Sequence, residues 1–158
     1  MSGAGEVKRV FVATDHGAVE LKQDLVAWIR TRHGLEVVDF GVHGSDAVDY
    51  PDLAATLCQA LLAGGPGDRG ILLCGTGIGM SMAANRWSGI RAALCHDEFG
   101  ARLSRQHNDA NVLVLGGRVT GVAVARAMVD VWLREPFEGG RHQRRLDKLE
   151  HPGAVRPA

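Results

Sequence analysis

Five short apolar runs alternate along this chain with segments whose apolar residues recur at helical spacing, and that alternation limits the fold more than any other feature. The runs are Arg9 to Thr14, Leu35 to Phe40, Gly70 to Cys74, Arg91 to Cys95 and Asn111 to Leu115. Between and after them lie helical patterns over Ala18–Arg32, Pro51–Ala63, Ile78–Arg86, Glu98–His107 and Val122–Leu133. Parallel strands need long crossovers, and a helix is the usual crossover. The strand segments are almost continuously apolar, as a sheet covered on both faces requires. The pattern predicts a Rossmann-like three-layer α/β/α sandwich around a five-stranded parallel sheet. In such folds ligands sit beyond the carboxyl ends of the strands. Polar residues gather at those ends: Asp15-His16, Cys74 to Gly79, His96-Asp97 and Gly116-Gly117-Arg118.

The densest of these is Cys74-Gly75-Thr76-Gly77-Ile78-Gly79, where a strand ends, the backbone turns on three glycines and a helix starts. Unpaired amides at the start of a helix suit an anion or a developing oxyanion. The loop lacks the Gly-Lys-Ser/Thr of a nucleotide phosphate loop. Its third glycine comes one residue early for a dinucleotide turn, although Asp97 lies near the spacing of a ribose-binding acid. Met80 stands where a cysteine phosphatase needs arginine. A cysteine at the mouth of such a turn points to chemistry, because thiols at helix N-termini ionise more readily and then act as bases or nucleophiles. The alternative from the loop alone is a structural turn with a buried thiol.

Bulk properties exclude several classes. The 158 residues fit one domain over 1–150, followed by a short tail, 151–158, expected to be disordered. Formal net charge is zero, which argues against nucleic acid and anionic membranes as partners. No apolar run approaches the ~20 residues of a bilayer span, and Met1 to Glu6 has no signal-peptide core. Cys58, Cys74 and Cys95 show neither disulfide nor zinc spacing, so they are read as free thiols of a cytoplasmic protein, with no metal.

Other constellations are weaker alone. Asp15-His16 could be an aspartate helix cap beside a surface histidine. His107, at the end of a helix, could simply complement the helix dipole. Arg141 and Arg145, spaced i, i+4, share a helix face and suit a phosphate, or merely a solvated surface. Their helix, within Glu138–Glu150, follows the last crossover and is expected to pack on a neighbouring subunit or to stay mobile. Trp28, Trp87 and Trp132 fall in helical patterns and are assigned to core or interface. Tyr50, the only tyrosine, precedes Pro51 and is a candidate substrate contact.

Taken together, the segments Asp15-His16, Asp49-Tyr50-Pro51, Cys74 to Gly79, Ala83-Ala84-Asn85, Gly89 to Ala92, Ser104 to Asn108, Gly116-Gly117-Arg118 and Gly139 to His142 resemble the type B ribose-5-phosphate isomerases. That family also includes allose-6-phosphate and galactose-6-phosphate isomerases. The resemblance spans about residues 9 to 150. It implies a homodimer or homotetramer with active sites shared between subunits, a sugar-phosphate substrate, and neither cofactor nor metal. By the same resemblance Cys74 is the base that moves a proton between C1 and C2. Thr76 and the amides of Gly75, Gly77 and Gly79 hold the enediolate oxygens. Asp15 and His107, the latter from the neighbouring subunit, open the furanose ring. His16, Arg118, Arg141 and Arg145 clamp the phosphate, and Tyr50 and Asn108 line the sugar. Some members place a glutamate base four residues after the cysteine position; Ile78 stands there in this chain and cannot accept a proton.

The expected reaction is interconversion of ribose 5-phosphate and ribulose 5-phosphate. A four- or six-carbon sugar phosphate is the nearest alternative, decided by the stretch Gly41 to Asp49. A non-catalytic nucleotide-binding module is the alternative from another class. It accounts for the glycines and Asp97 but not for Cys74 with His107 and the arginine pair.

Overall fold

The computed structural model describes residues 6–153, so most of the expected tail lies outside the described residues. The strands are β1 (Arg9–Thr14), β2 (Glu36–Asp39), β3 (Asp68–Cys74), β4 (Ala92–Leu94) and β5 (Val112–Gly116). The helices are α1 (Val19–Trp28), α2 (Tyr50–Ala63), α3 (Ile78–Ala84), α4 (Glu98–Gln106), α5 (Val122–Arg134) and α6 (Arg141–Glu150). All strand pairs are parallel, in the order β2-β1-β3-β5-β4. The strand order reverses beside β3, which puts the end of that strand at the switch point where α/β folds open a crevice.

Alternation along the strands builds two cores. Val10, Val12, Ile71, Leu73, Leu113 and Leu115 face α1 and α5, where Trp132, Met128 and Leu25 are fully buried. Phe11, Ala13, Leu72, Cys74, Val112 and Val114 face α2 and α3, where they meet Leu57, Cys58 and Met80. The period of two therefore turns Cys74 toward the helix that its own loop starts.

The first crossover differs in detail from the sequence expectation. The α-helix stops at Trp28, and Ile29–His33 continue as one π-helical turn before Gly34. Lys22 is also unexpected. It lies on the buried stripe of α1 with Leu25, Val26 and Ile29 and is fully buried. Its Nζ donates to both oxygens of Asp39, at 2.8 and 3.0 Å, and to the Val42 carbonyl at 3.1 Å, and lies 3.2 Å from His43 Nδ1. The lysine thereby fixes the start of the loop that runs from β2 toward Tyr50. Removing one partner of a buried pair leaves the other charge uncompensated. Lys22→Ala is therefore expected to lower unfolding stability by about 3 kcal/mol or more, read as a lower urea midpoint.

Candidate active site

Three strand ends meet at one edge of the sheet. The Asp15 amide donates to the Leu73 carbonyl at 3.3 Å, and the amides of Gly117 and Arg118 donate to the carbonyls of Cys74 and Gly75 at 2.8 and 2.9 Å. These bonds tie the loops after β1, β3 and β5 together. They bring Asp15, His16, the Cys74 to Gly79 loop and Arg118 into one neighbourhood.

Gly77 adopts φ 81°, a left-handed conformation that L side chains rarely take, and this lets the chain turn directly into α3. The turn aims the Gly77 amide back at Cys74, whose Sγ accepts it at 3.1 Å. The Thr76 hydroxyl accepts the Ile78 amide at 3.3 Å. Among the described residues the amides of Gly75, Thr76 and Gly79 have no partner. The family resemblance implies that the Gly77 amide holds a substrate oxygen; in the structure that N–H serves the sulfur. A donor directed at sulfur stabilises negative charge there. The other two thiols offer no comparable setting: burial pushes both Cys58 and Cys95 up to about 11.

The neighbouring side chains close around this loop. Tyr50 opens α2, and its ring lies flat against Gly79, where an added Cβ would come within 2.7 Å of Cζ. Any larger residue at 79 would displace the ring. The Arg118 guanidinium lies beside Gly75. Asp15 Oδ1 accepts the Gly17 amide at 2.8 Å. His16 Nδ1 accepts the Val48 amide at 3.4 Å, which links the loop after β2 to the site. A cleft of about 650 Å³ opens alongside, lined in part by His16, His43, Gly117 and Thr120.

The remaining candidates lie elsewhere. From Asp97 at the carboxyl edge, α4 runs back along the sheet, so its C-cap, His107, reaches the opposite, amino edge. With strands averaging five residues, the two edges are roughly 15 Å apart. Asn108 follows on the same turn. This segment is held by Asp109, whose carboxylate accepts from Arg105 at 2.8 Å and from Arg91 at 3.0 Å. Arg105 is buried and also donates to the Ala110 carbonyl, so it is structural. Helix α6 docks on the same edge: Glu150 pairs with Arg91 at 3.0 Å, and the His142 ring stacks on His107 with centroids 4.2 Å apart. Burial, then the neighbouring His107 and Arg141, lower the pKa of His142. The helix expected to lean on a neighbour thus has contacts within its own chain, while Arg141 and Arg145 remain exposed.

One chain therefore gathers Asp15, His16, Tyr50, Cys74, Gly75, Thr76, Gly77, Gly79 and Arg118, and holds His107, Asn108, Arg141 and Arg145 at the far edge. Asp97 is not free to bind a ribose: it caps α4, accepting the Gly100 amide at 2.7 Å. That removes the main residue favouring a nucleotide module. Among the described residues no helix is long and apolar enough to cross a membrane.

Comparison with known proteins identifies the family. The family model described as "Ribose/Galactose Isomerase" matches residues 10–149. Ribose-5-phosphate isomerase B of Escherichia coli (strain K12) is 47% identical over 143 residues, covering 90% of this chain and 95% of that protein. The D-erythrulose-4-phosphate isomerase of Pectobacterium atrosepticum is 40% identical over 142 residues, covering 89% of this chain and 91% of its own. Among solved structures, a ribose 5-phosphate isomerase from Thermotoga maritima superposes with a TM-score of 0.86 at 49% identity, covering 90% of this chain and 97% of that one. With the family model spanning nearly every element from β1 to α6, the chain belongs to the ribose/galactose isomerase family and is a sugar-phosphate isomerase.

Proposed function

We propose that this chain interconverts D-ribose 5-phosphate and D-ribulose 5-phosphate through a cis-enediolate, with Cys74 as the base. The observation that carries the reading is the Cys74 sulfur in its glycine loop, engaged by the Gly77 amide, with the amides of Gly75, Thr76 and Gly79 free beside it. Asp15 and His107 open the furanose: one takes the proton of the anomeric hydroxyl while the other protonates the ring oxygen as the C1–O bond breaks. The Cys74 thiolate then removes the C2 proton of the open aldose. The electron pair moves into a C1–C2 double bond, and charge builds on the carbonyl oxygen. The free amides and Thr76 stabilise that charge, and such donors are worth about 3–4 kcal/mol each. A proton passes from O2 to O1, the C2 oxygen becomes the carbonyl as the Cys74 thiol returns its proton to C1, and the ketose and the thiolate result. The electrons stay within the sugar, so the step needs no redox partner.

The phosphate takes no part in this chemistry. Held by His16, Arg118, Arg141 and Arg145, it fixes the sugar for reaction. The two edges of one chain are too far apart for a single sugar phosphate to touch both. His107, Asn108 and the α6 arginines therefore come from a second copy, in a homodimer or homotetramer with shared sites. Localisation in the cytoplasm and a single catalytic domain over 1–150 fit this reading.

A second reading, isomerisation of a tetrose phosphate, is favoured by the likeness to the Pectobacterium enzyme. Steady-state kinetics on ribose 5-phosphate, allose 6-phosphate and erythrose 4-phosphate separate the two. One missing or extra carbon unit typically changes kcat/KM by about 10-fold or more. Ribose 5-phosphate is expected to lead by that margin, and a lead for either other sugar overturns the assignment.

A further inference from the structure

At the amino edge, three ligand-type side chains converge with no hydrogen bond among them, the two imidazoles stacked on each other. His107 Nε2 and His142 Nε2 lie 3.9 and 3.6 Å from the same oxygen, Oε2 of Glu138. The three donor atoms all fall within 4.8 Å of one another. Both contacts to Glu138 are longer than a hydrogen bond, although the His142 ring is almost fully buried. The backbone around them is well held. The Glu138 amide donates to the Gln106 carbonyl and the His142 amide to the Gly139 carbonyl, both at 3.0 Å. We propose that His107, Glu138 and His142 form a binding site for a transition-metal dication of the zinc class, and that its occupation inhibits the isomerase.

The chemistry supports this choice. Two imidazoles and one carboxylate are a borderline nitrogen/oxygen set, which suits zinc, cobalt or nickel better than the all-oxygen preference of magnesium or calcium. Zinc bonds to such ligands are about 2.0–2.2 Å in a tetrahedron, which places ligand atoms roughly 3.4 Å apart. The carboxylate–imidazole distances already approach that spacing. The two rings are 9° from parallel, so binding must splay their nitrogen ends apart from the stack. His107 and Glu138 are solvent-accessible enough to rotate, while the buried His142 is the fixed point. The formal charge of the set is negative when the imidazoles are neutral. The exposed guanidiniums of Arg141 and Arg145 oppose a cation, but through solvent that screens them.

The inhibitory consequence rests on the role proposed above for His107. A metal on Nε2 removes the nitrogen that would carry a proton at the sugar ring, and it also pins α6 to the end of α4. Metal binding itself does not depend on that role, so the two are tested separately. Cobalt(II) chloride titrated into the full chain reports binding by its visible absorption, and zinc chloride is tested for chelator-reversible inhibition. Glu138→Gln and His142→Ala are each expected to weaken cobalt binding by at least about 10-fold, since even changes one shell beyond a metal have that effect. Cys74→Ser is expected to leave it unchanged. Glu138 is half exposed, so its substitution tests the site even if His142→Ala destabilises the fold. Unchanged cobalt binding in Glu138→Gln, or loss of binding and of a thiolate charge-transfer band in Cys74→Ser, overturns the site. Binding that leaves turnover intact overturns the inhibitory consequence and, with it, the ring-opening role of His107.

Discussion

Replacing Cys74 by alanine lowers kcat for ribose 5-phosphate by about 10²–10⁴-fold, the ordinary contribution of a positioned base. The expectation is this large because no second group stands by. Ile78, where a glutamate base would stand, is a hydrocarbon at the start of α3. Cys58 and Cys95 are enclosed in the two cores. The proposed phosphate clamp lies on other residues, so KM should change far less than kcat, which marks a loss confined to the transition state. Cys74→Ser separates base chemistry from packing: the hydroxyl nearly fills the space of the thiol but is a much poorer base at neutral pH. Both variants should fold, since Cys74 contributes only a small side chain to the core beneath α2 and α3. Turnover above about a tenth of wild type in either variant would remove Cys74 from its role.

Mixing two inactive variants restores activity. One carries Cys74→Ala, and the other carries both Arg141→Ala and Arg145→Ala. Alone, the first lacks its base and the second lacks half of its phosphate clamp. In a mixed dimer with shared sites, one site collects both defects and the other collects none. Random reassortment makes half of the dimers mixed, so about a quarter of wild-type activity should return. The result follows from topology. Cys74 ends β3 at the carboxyl edge, whereas α4 and α5 return the chain to the amino edge, where α6 begins. A site assembled within one chain would recover nothing on mixing, and that outcome would overturn the shared arrangement. The reassortment itself is checked by mass spectrometry of differently tagged subunits.

Much of this was legible in the residues. The five strands and their helices follow from hydrophobic period, and most boundaries fall within two residues of the pattern. The candidate catalytic loop was legible because glycine, cysteine and a helix start coincide in six residues. The role of Asp97 was not, because an aspartate two residues after a strand is compatible with both a ribose contact and a helix cap. The direction of the Gly77 amide was hidden for a similar reason: spacing shows that a turn occurs, not which atom it faces. Lys22 did leave a signal, a charge on the apolar stripe of α1, but only the fold supplies Asp39 to answer it. The cluster of Glu138 with His107 and His142 was not legible as a whole: Glu138 and His142 are four residues apart, but His107 lies 31 residues before Glu138, and only the fold brings it to them.

The sequence by itself determined the α/β layering and the family and singled out Cys74 as the candidate base, because period, glycine placement and residue chemistry are local properties. Tertiary structure decided which candidates meet. Helices that reverse direction carry His107, Arg141 and Arg145 away from Cys74, and only the path of the chain through space separates one set from the other.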